Sequence, residues 1–355
     1  MADYVLNTWY PLTWSRDVEQ ALSKHRITEQ DVVLYRNSNN AVIAMEDMCP
    51  HRLLPLSKGK LKGDDIECGY HGVTFNCSGE CIRVPGQDII PRSAKVRTYP
   101  THEKLGLVWI WMGEASLADP SEIIDIPEYN SEDWSVVEGD ALEIKANYLS
   151  LADNLCDPAH VSFVHLSTLG NAASEDIPVH HKVEEKKILT WRWIIDAPAI
   201  PIFEKYGNFK GNVDRWHYYH YYAPSIAIID FGSAETGTGA QEGNREGAMQ
   251  VLACHFMTPV DEFNSIDHWL HIKNFQADEQ TNKALSADFR LAFDEDKEIL
   301  EAIQEKEIQH PDRKRLKIAI DAAPARMRRI VDNMINAEAS TDANNELLIP
   351  ITSNG

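Results

Sequence analysis

Residues 49–72 read CPHRLLPLSKGKLKGDDIECGYHG. A single residue separates Cys49 from His51 and two separate Cys68 from His71, so each end of the stretch offers one thiolate and one imidazole. Four such ligands can close a tetrahedral zinc site, although zinc motifs usually pair Cys with Cys and His with His. A two-iron, two-sulfur cluster with histidine on one iron needs two thiolates for one metal and two imidazoles for the other. Two loops that each bring one Cys and one His deliver that division if both thiolates face one iron and both imidazoles the other. Pro50, Pro55, Gly69 and Gly72 shape the loop backbones, and N–H groups in such loops can hydrogen-bond the cluster sulfurs.

The chain of 355 residues is longer than a single hydrophobic core usually supports, which predicts two domains. Acidic side chains number 55 against 34 basic ones, a formal charge of -21. That charge speaks against a nucleic-acid or anionic-membrane partner and for a small molecule or a basic protein. No apolar run approaches the ~20 residues that span a bilayer, and the N-terminus lacks the cationic start and apolar core of a signal peptide, so a cytoplasmic protein is expected. In that reducing compartment Cys49, Cys68, Cys77, Cys81, Cys156 and Cys254 read as thiols or metal ligands rather than disulfides.

From about Asp31 to Trp111 short β-branched and aromatic runs alternate with turn residues, with hairpin turns at Asn37–Asn40 and Asn76–Gly79. An all-β domain over residues 1–120 follows. The acidic, Pro-containing segment 113–134 suits a surface connection. Residues 121–340 then carry a second antiparallel sheet with flanking helices, an α+β domain, and a polar tail is expected over 341–355. In RWHYYHYY, Arg215 to Tyr222, a strand places Trp216, Tyr218, His220 and Tyr222 on one face, which either lines a pocket or fills a sheet core.

A second constellation occupies LADNLCDPAHVSFVH, residues 151–165. Asp153, Asp157 and His160 share a face of a continuous helix, whereas His165 is turned away from His160. The two imidazoles reach one metal only if the helix bends or ends, and Pro158 offers a place for that. Two His and one carboxylate on one side of a ferrous ion leave positions open for oxygen. The acidic ligand must come from elsewhere. LAFDEDKEILEAI offers Asp294, Glu295 and Asp296, which point in different directions on a helix, so spacing does not choose among them.

With CPHR and CGYHG as cluster loops at 49–52 and 68–72, the chain resembles the Rieske non-heme iron oxygenases. Asn154, Asp157, His160 and His165 match that family's Asn-x-x-Asp-x-x-His-x-x-x-x-His motif. VPGQDIIP, LGLVWIWMG and LADP are similar to its vanillate and dicamba O-demethylase branch. The resemblance implies a Rieske cluster on Cys49, His51, Cys68 and His71, and a mononuclear Fe(II) on His160, His165 and Asp296 in a helix-grip-like catalytic domain. It implies that Asp157 bridges His160 to His71 of a neighbour in a homotrimer. It also implies O2 and a small aromatic acid as substrates, with His255, His220 and Arg215 as substrate contacts and Lys210 as a further balancing charge. The branch has Trp where Ala287 stands, so its substrate contacts do not transfer as a set.

The chain has no Gly-rich dinucleotide fingerprint and no flavin motif, so NAD(P)H electrons are expected through a separate flavin/iron-sulfur reductase, with or without a ferredoxin. The activity implied is hydroxylation of a methoxy or methyl group, with O-demethylation foremost. Hydroxylation or N-demethylation of a non-benzoate substrate, a Rieske electron carrier without oxygenase activity, and a structural zinc protein are the alternatives.

Overall fold

The computed structural model describes residues 4–347, with side chains to residue 340. It divides into two compact units. The smaller comprises Leu6–Ile124 with Thr258–Glu262, and the larger is formed by the described residues up to Val5, Asp125–Met257 and the described residues from Phe263 onward.

The smaller unit is built from three antiparallel sheets. Strands β1 (Trp9–Trp14), β10 (Thr101–Lys104) and β11 (Leu107–Trp111) form one, and β2 (Ser23–Ile27), β3 (Gln30–Arg36), β4 (Val42–Glu46) and β9 (Thr98–Tyr99) form another. Tyr10, Leu12, Val32, Leu34, Val108 and Ile110 from these two sheets share one core. The third sheet holds β5 (Lys60–Lys62), β6 (Asp65–Glu67), β7 (Thr74–Phe75) and β8 (Cys81–Arg83). Both expected hairpin turns are present, and asparagine side chains close them. Asn37 Oδ1 accepts from the Asn39 and Ala41 amides, and Asn76 Oδ1 from those of Ser78 and Glu80.

The larger unit carries a seven-stranded antiparallel sheet of β12 (Ser135–Ile144), β13 (His180–Glu184), β14 (Lys187–Ala197), β15 (Val213–Tyr222), β16 (Ile226–Glu235), β17 (Met249–Asp261) and β18 (Asn264–Lys273), in the order β12-β18-β17-β16-β15-β14-β13. The two-residue period of a strand sorts its side chains. In β15, Val213, Tyr219 and Tyr221 enter the main core with Phe231, Val251 and Ala253, while Trp216 joins a smaller cluster with Trp193 and Tyr218 on the opposite face. Thus the expected face of Trp216, Tyr218 and His220 exists, and it is the one turned away from the main core.

Among the described residues five helices complete this unit: α1 (Tyr148–Asn154), α2 (Val161–Val164), α3 (Pro201–Tyr206), α4 (Glu279–Gln309) and α5 (Ala322–Leu347). Helix α4 starts where the Asp278 carboxylate accepts from the Thr281 amide at 2.7 Å. Its buried positions Leu285, Phe289, Ala292, Phe293 and Leu300 fall at helical spacing and pack on the sheet core. The continuous helix considered for residues 151–165 is corrected: α1 ends at Asn154, Pro158 lies in the break, and α2 begins at Val161. Asp153 therefore does not share a face with Asp157 and His160; it accepts from Arg328 Nη2 at 2.7 Å. Helix α5 runs to Leu347, into the stretch expected as a tail, and residues 348–355 lie outside the described residues. No described helix is long and apolar enough to cross a membrane.

Gly232 in β16 pairs with Trp216, whose indole covers it: a Cβ there would lie 2.1 Å from Trp216 Cζ2 and 2.5 Å from Met249 O. Gly232→Ala should destabilise the protein by about 1–3 kcal/mol through overpacking, seen as a lowered thermal midpoint; an unchanged midpoint would show that the indole moves aside without penalty.

Candidate metal centres

The two cluster loops share one construction. In each, the cysteine amide donates to the carbonyl five residues on, Cys49 to Leu54 at 2.9 Å and Cys68 to Val73 at 2.8 Å. In each, the residue four places after the cysteine donates back to it, Leu53 at 2.9 Å and Gly72 at 3.0 Å, with φ of 59° and 71°. That left-handed residue explains Gly72, and Leu53 adopts the same conformation against its side-chain preference.

The construction separates thiols from imidazoles. Cys49 and Cys68 are buried in the core with Val33, Leu56 and Phe75, and each thiol lies within reach of the other. The amides of His51 and Arg52 are directed at the Cys49 sulfur. His51 and His71 are exposed, with ring centroids 4.5 Å apart. Like is thus paired with like across the loops, the division that a cluster with one all-thiolate and one all-imidazole iron requires.

In the larger unit His160 precedes α2 and His165 follows it, where the backbone leaves the helix at φ -104°, ψ 35°. That departure cancels the angular offset that five helical residues would impose. Across from them, Asp296 interrupts the apolar stripe of α4. Its Oδ2 lies 3.2 Å from His165 Nε2 and its Oδ1 3.5 Å from His160 Nε2. The three donors lie within 4.8 Å of one another, close enough to share an ion.

Neighbours hold this group in place. His165 Nδ1 donates to Glu295 Oε2 at 2.8 Å, which turns Nε2 toward Asp296, and Ser167 and Thr168 hydroxyls hold the same Glu295 carboxylate. Asn154 Nδ2 donates to Asp296 Oδ1 at 2.9 Å. Burial alone would raise the Asp296 pKa, but the His165 hydrogen bond and the two imidazoles outweigh it and keep the carboxyl below its ordinary range. Burial likewise lowers His165, yet Asp296 and Glu295 reverse the sign and raise it. Burial also lowers His160, and there the charges of Asp296 and Asp157 do not reverse the sign. Asp294 is exposed and pairs with Arg290 along the helix at 3.1 Å.

A cavity of about 510 Å³, counted with its mouth, opens beside the three residues, lined by His217, Tyr219, Phe231, His255, Phe289 and Phe293 among others. His255 Nδ1 donates to Asp267 at 2.7 Å and its buried Nε2 has no partner. His220 does not line this cavity, because strand alternation places it on the far face of the sheet; His217 and Tyr219 occupy that role instead. Lys210 is exposed. Arg215 is buried on the cavity side of the sheet, one row from His217. The sequence offered Glu295 only as a possible metal ligand, not as the partner of His165 Nδ1, and gave no sign of Asp267. The phase of the α4 stripe did carry a usable signal, since Leu285, Phe289, Phe293 and Leu300 put Asp296 inward and Asp294 outward.

Comparison with known proteins places both units. Residues 8–100 match the Rieske [2Fe-2S] domain, and residues 144–337 match the vanillate O-demethylase oxygenase C-terminal domain. The chain belongs to the vanillate O-demethylase oxygenase family. It is 34% identical to the toluene-4-sulfonate monooxygenase system iron-sulfur subunit of Comamonas testosteroni over 94% of this chain and 98% of that one. It is 30% identical to a vanillate O-demethylase oxygenase subunit of Pseudomonas sp. (strain HR199 / DSM 7063), over 94% and 95%. The crystal structure of dicamba monooxygenase with non-heme iron and dicamba superposes with a TM-score of 0.80 at 25% identity, covering 96% of this chain and all of that one. As a member of this family the chain is a Rieske-type oxygenase component of α+β fold, an oxidoreductase that uses a two-iron, two-sulfur cluster and mononuclear non-heme iron and depends on a reductase.

In this oxygenase, Asp296→Ala should lose mononuclear iron while keeping the visible absorption of the cluster, and Asp294→Ala should keep both; metal analysis beside the absorption spectrum decides it. Glu295→Gln should weaken iron retention about 10–100-fold, as for other partners that orient a metal-bound histidine, measured by competition with a chelator.

Proposed function

We infer that this oxygenase component uses O2 and reductase-delivered NAD(P)H electrons to hydroxylate a methoxy or methyl group of a small aromatic acid, with O-demethylation as the leading outcome. The observation that carries this reading is the grouping of His160, His165 and Asp296 beside a cavity walled by Ile229, Phe231, Phe289 and Phe293. In it, Cys49, His51, Cys68 and His71 hold the cluster and His160, His165 and Asp296 hold the iron. Bound there, the cluster supplies electrons one at a time and the ferrous ion supplies dioxygen activation at its open positions.

The chain's own residues prepare that chemistry. Glu295 fixes the face of His165, and Asn154 fixes the rotamer of Asp296. The aromatic walls exclude water and seat a flat ring, while His255, braced by Asp267, turns its unpartnered Nε2 toward the bound substrate. Hydroxylation of an aryl methoxy carbon leaves a hemiacetal that collapses to a phenol and formaldehyde; hydroxylation of a ring methyl leaves an alcohol. The likeness to a toluene-4-sulfonate monooxygenase favours the methyl reaction as the second reading.

Asp157 is the proposed electron bridge. Its Oδ1 accepts from the Ala159 amide at 2.7 Å, and among the described residues His160 Nδ1 makes no hydrogen bond to another side chain. A homotrimer in which Asp157 joins His160 to His71 of a neighbour would use His160 Nδ1 and the Asp157 carboxylate. The exposed apolar side chains support such an interface: Leu53 and Tyr70 stand beside the cluster histidines, and Phe163 and Leu166 beside His160 and His165.

A single turnover tests the reading. Iron-loaded, chemically reduced protein receives O2 with a panel of methoxy- and methyl-substituted aromatic acids, and products are read by mass spectrometry. A phenol with formaldehyde is expected, lost in His160→Ala and kept in Asp294→Ala. Asp157→Asn should retain both metal centres yet slow substrate-dependent reoxidation of the cluster by at least about tenfold. Absence of product from every aromatic acid in a reduced, iron-replete sample would overturn the substrate class.

A further inference from the structure

Two arginines lie inside the larger unit with no carboxylate among the described residues to neutralise them. Arg192 of β14 and Arg215 of β15 are each 1% exposed. Every hydrogen bond they make goes to a neutral acceptor: Arg192 Nη1 donates to Ser174 O at 2.8 Å, Arg192 Nε to His217 Nδ1 at 3.3 Å, and Arg215 Nη2 to Asn171 Oδ1 at 3.0 Å. Arg192 Nη2 and both Nε and Nη1 of Arg215 are buried with no partner. Ser233, 0% exposed, adds a hydroxyl that is also unpartnered. Among the described residues the carboxylate that acts on Arg192 is Asp157, and it does so from beyond ion-pair range.

A guanidinium does not discharge by losing its proton at neutral pH, so burial of an unpaired pair is strongly disfavoured unless something brings negative charge. Burial, reinforced by the charge of Arg192, pushes the Arg215 pKa down to about 10, which still leaves it charged.

Strand register locates this charge. Arg215 lies opposite Ser233 across β15 and β16, and Arg192 lies opposite His217 across β14 and β15. His217 in turn faces Phe231, and both line the cavity beside His160, His165 and Asp296. Residues two apart on a strand are about 7 Å apart, so the Arg215–Ser233 row is the next one beyond the cavity wall. The Arg192 hydrogen bond occupies His217 Nδ1, so His217 is a neutral link between the guanidinium and the cavity.

We propose that Arg192, Arg215 and Ser233 form the receptor for the oxyanion head of the substrate, a sulfonate or carboxylate on an aromatic ring, at the end of the cavity beyond His217 and Phe231. This rests on the reading of the substrate as an aromatic acid and assigns which residues take its charge. The open donors are three nitrogens and one hydroxyl. A carboxylate presents two oxygens to them and a sulfonate three, so the sulfonate fits the donor set better.

Calorimetric binding to the cluster- and iron-loaded protein, without reductant so that nothing turns over, tests this. The ligands are toluene-4-sulfonate, 4-methylbenzoate and the neutral isostere toluene-4-sulfonamide. Wild-type protein should bind the sulfonate at least about tenfold more tightly than the sulfonamide, with the carboxylate between them. Ser233→Ala, which removes only a hydroxyl, and Arg215→Gln should each weaken anion binding by about tenfold to a hundredfold and leave the sulfonamide within about twofold. Equal affinity of wild-type protein for sulfonate and sulfonamide overturns the proposal even if Arg215→Gln does not fold, and so does an equal loss for both ligands in Ser233→Ala. Turnover of an aromatic acid with anion selectivity unchanged in the variants would sink this receptor and keep the oxygenase reading. Anion-selective, Ser233-dependent binding with no turnover of any aromatic acid would do the reverse.

Discussion

A carboxylate placed in the apolar stripe of a helix must either take up a proton or find positive charge, and Asp296 finds two imidazoles. Much of the larger unit follows from that requirement. The stripe of α4 packs on the sheet through Phe289 and Phe293, so the same helix that delivers the carboxylate also walls the cavity. The break between α1 and α2 then has a purpose, because His160 and His165 approach Asp296 from two ends of a four-residue helix rather than from one face of a long one. Glu295, the next residue on α4, holds the outer nitrogen of His165, so two adjacent acidic residues serve one histidine from opposite sides.

The smaller unit meets a different demand, which is to hold sulfur ligands away from water while leaving imidazoles at the surface. The repeated loop does this with the same pair of backbone hydrogen bonds and the same left-handed residue at its end. Because thiols face the core and imidazoles face outward, the exposed side is the side on which an electron partner can act.

Strand alternation organises the cavity. In β15 it sends Arg215, His217 and Tyr219 inward and Trp216, Tyr218 and His220 outward. The run RWHYYHYY was legible as a strand with a two-residue period, but which face would meet the cavity was not, since both faces are rich in aromatic residues. The buried arginines were equally opaque. One arginine looks the same in sequence whether it is solvated or held 1% exposed, and only the packing around it shows that its charge is unanswered.

The sequence by itself determined the chemistry. The mixed Cys/His pairs distinguish a Rieske cluster from common zinc motifs, and apolar periodicity marks the two sheets and α4, because each depends on residue type and local spacing; the His160–His165 pair implies a second metal only in company with those cluster loops. Tertiary structure alone decided which acidic residues surround His165, that Asp153 belongs to Arg328, that Asp267 braces His255, and which face of β15 borders the cavity. Those outcomes join residues far apart in the chain, and their energies come from burial and opposing charge that exist only once the distant segments are packed together.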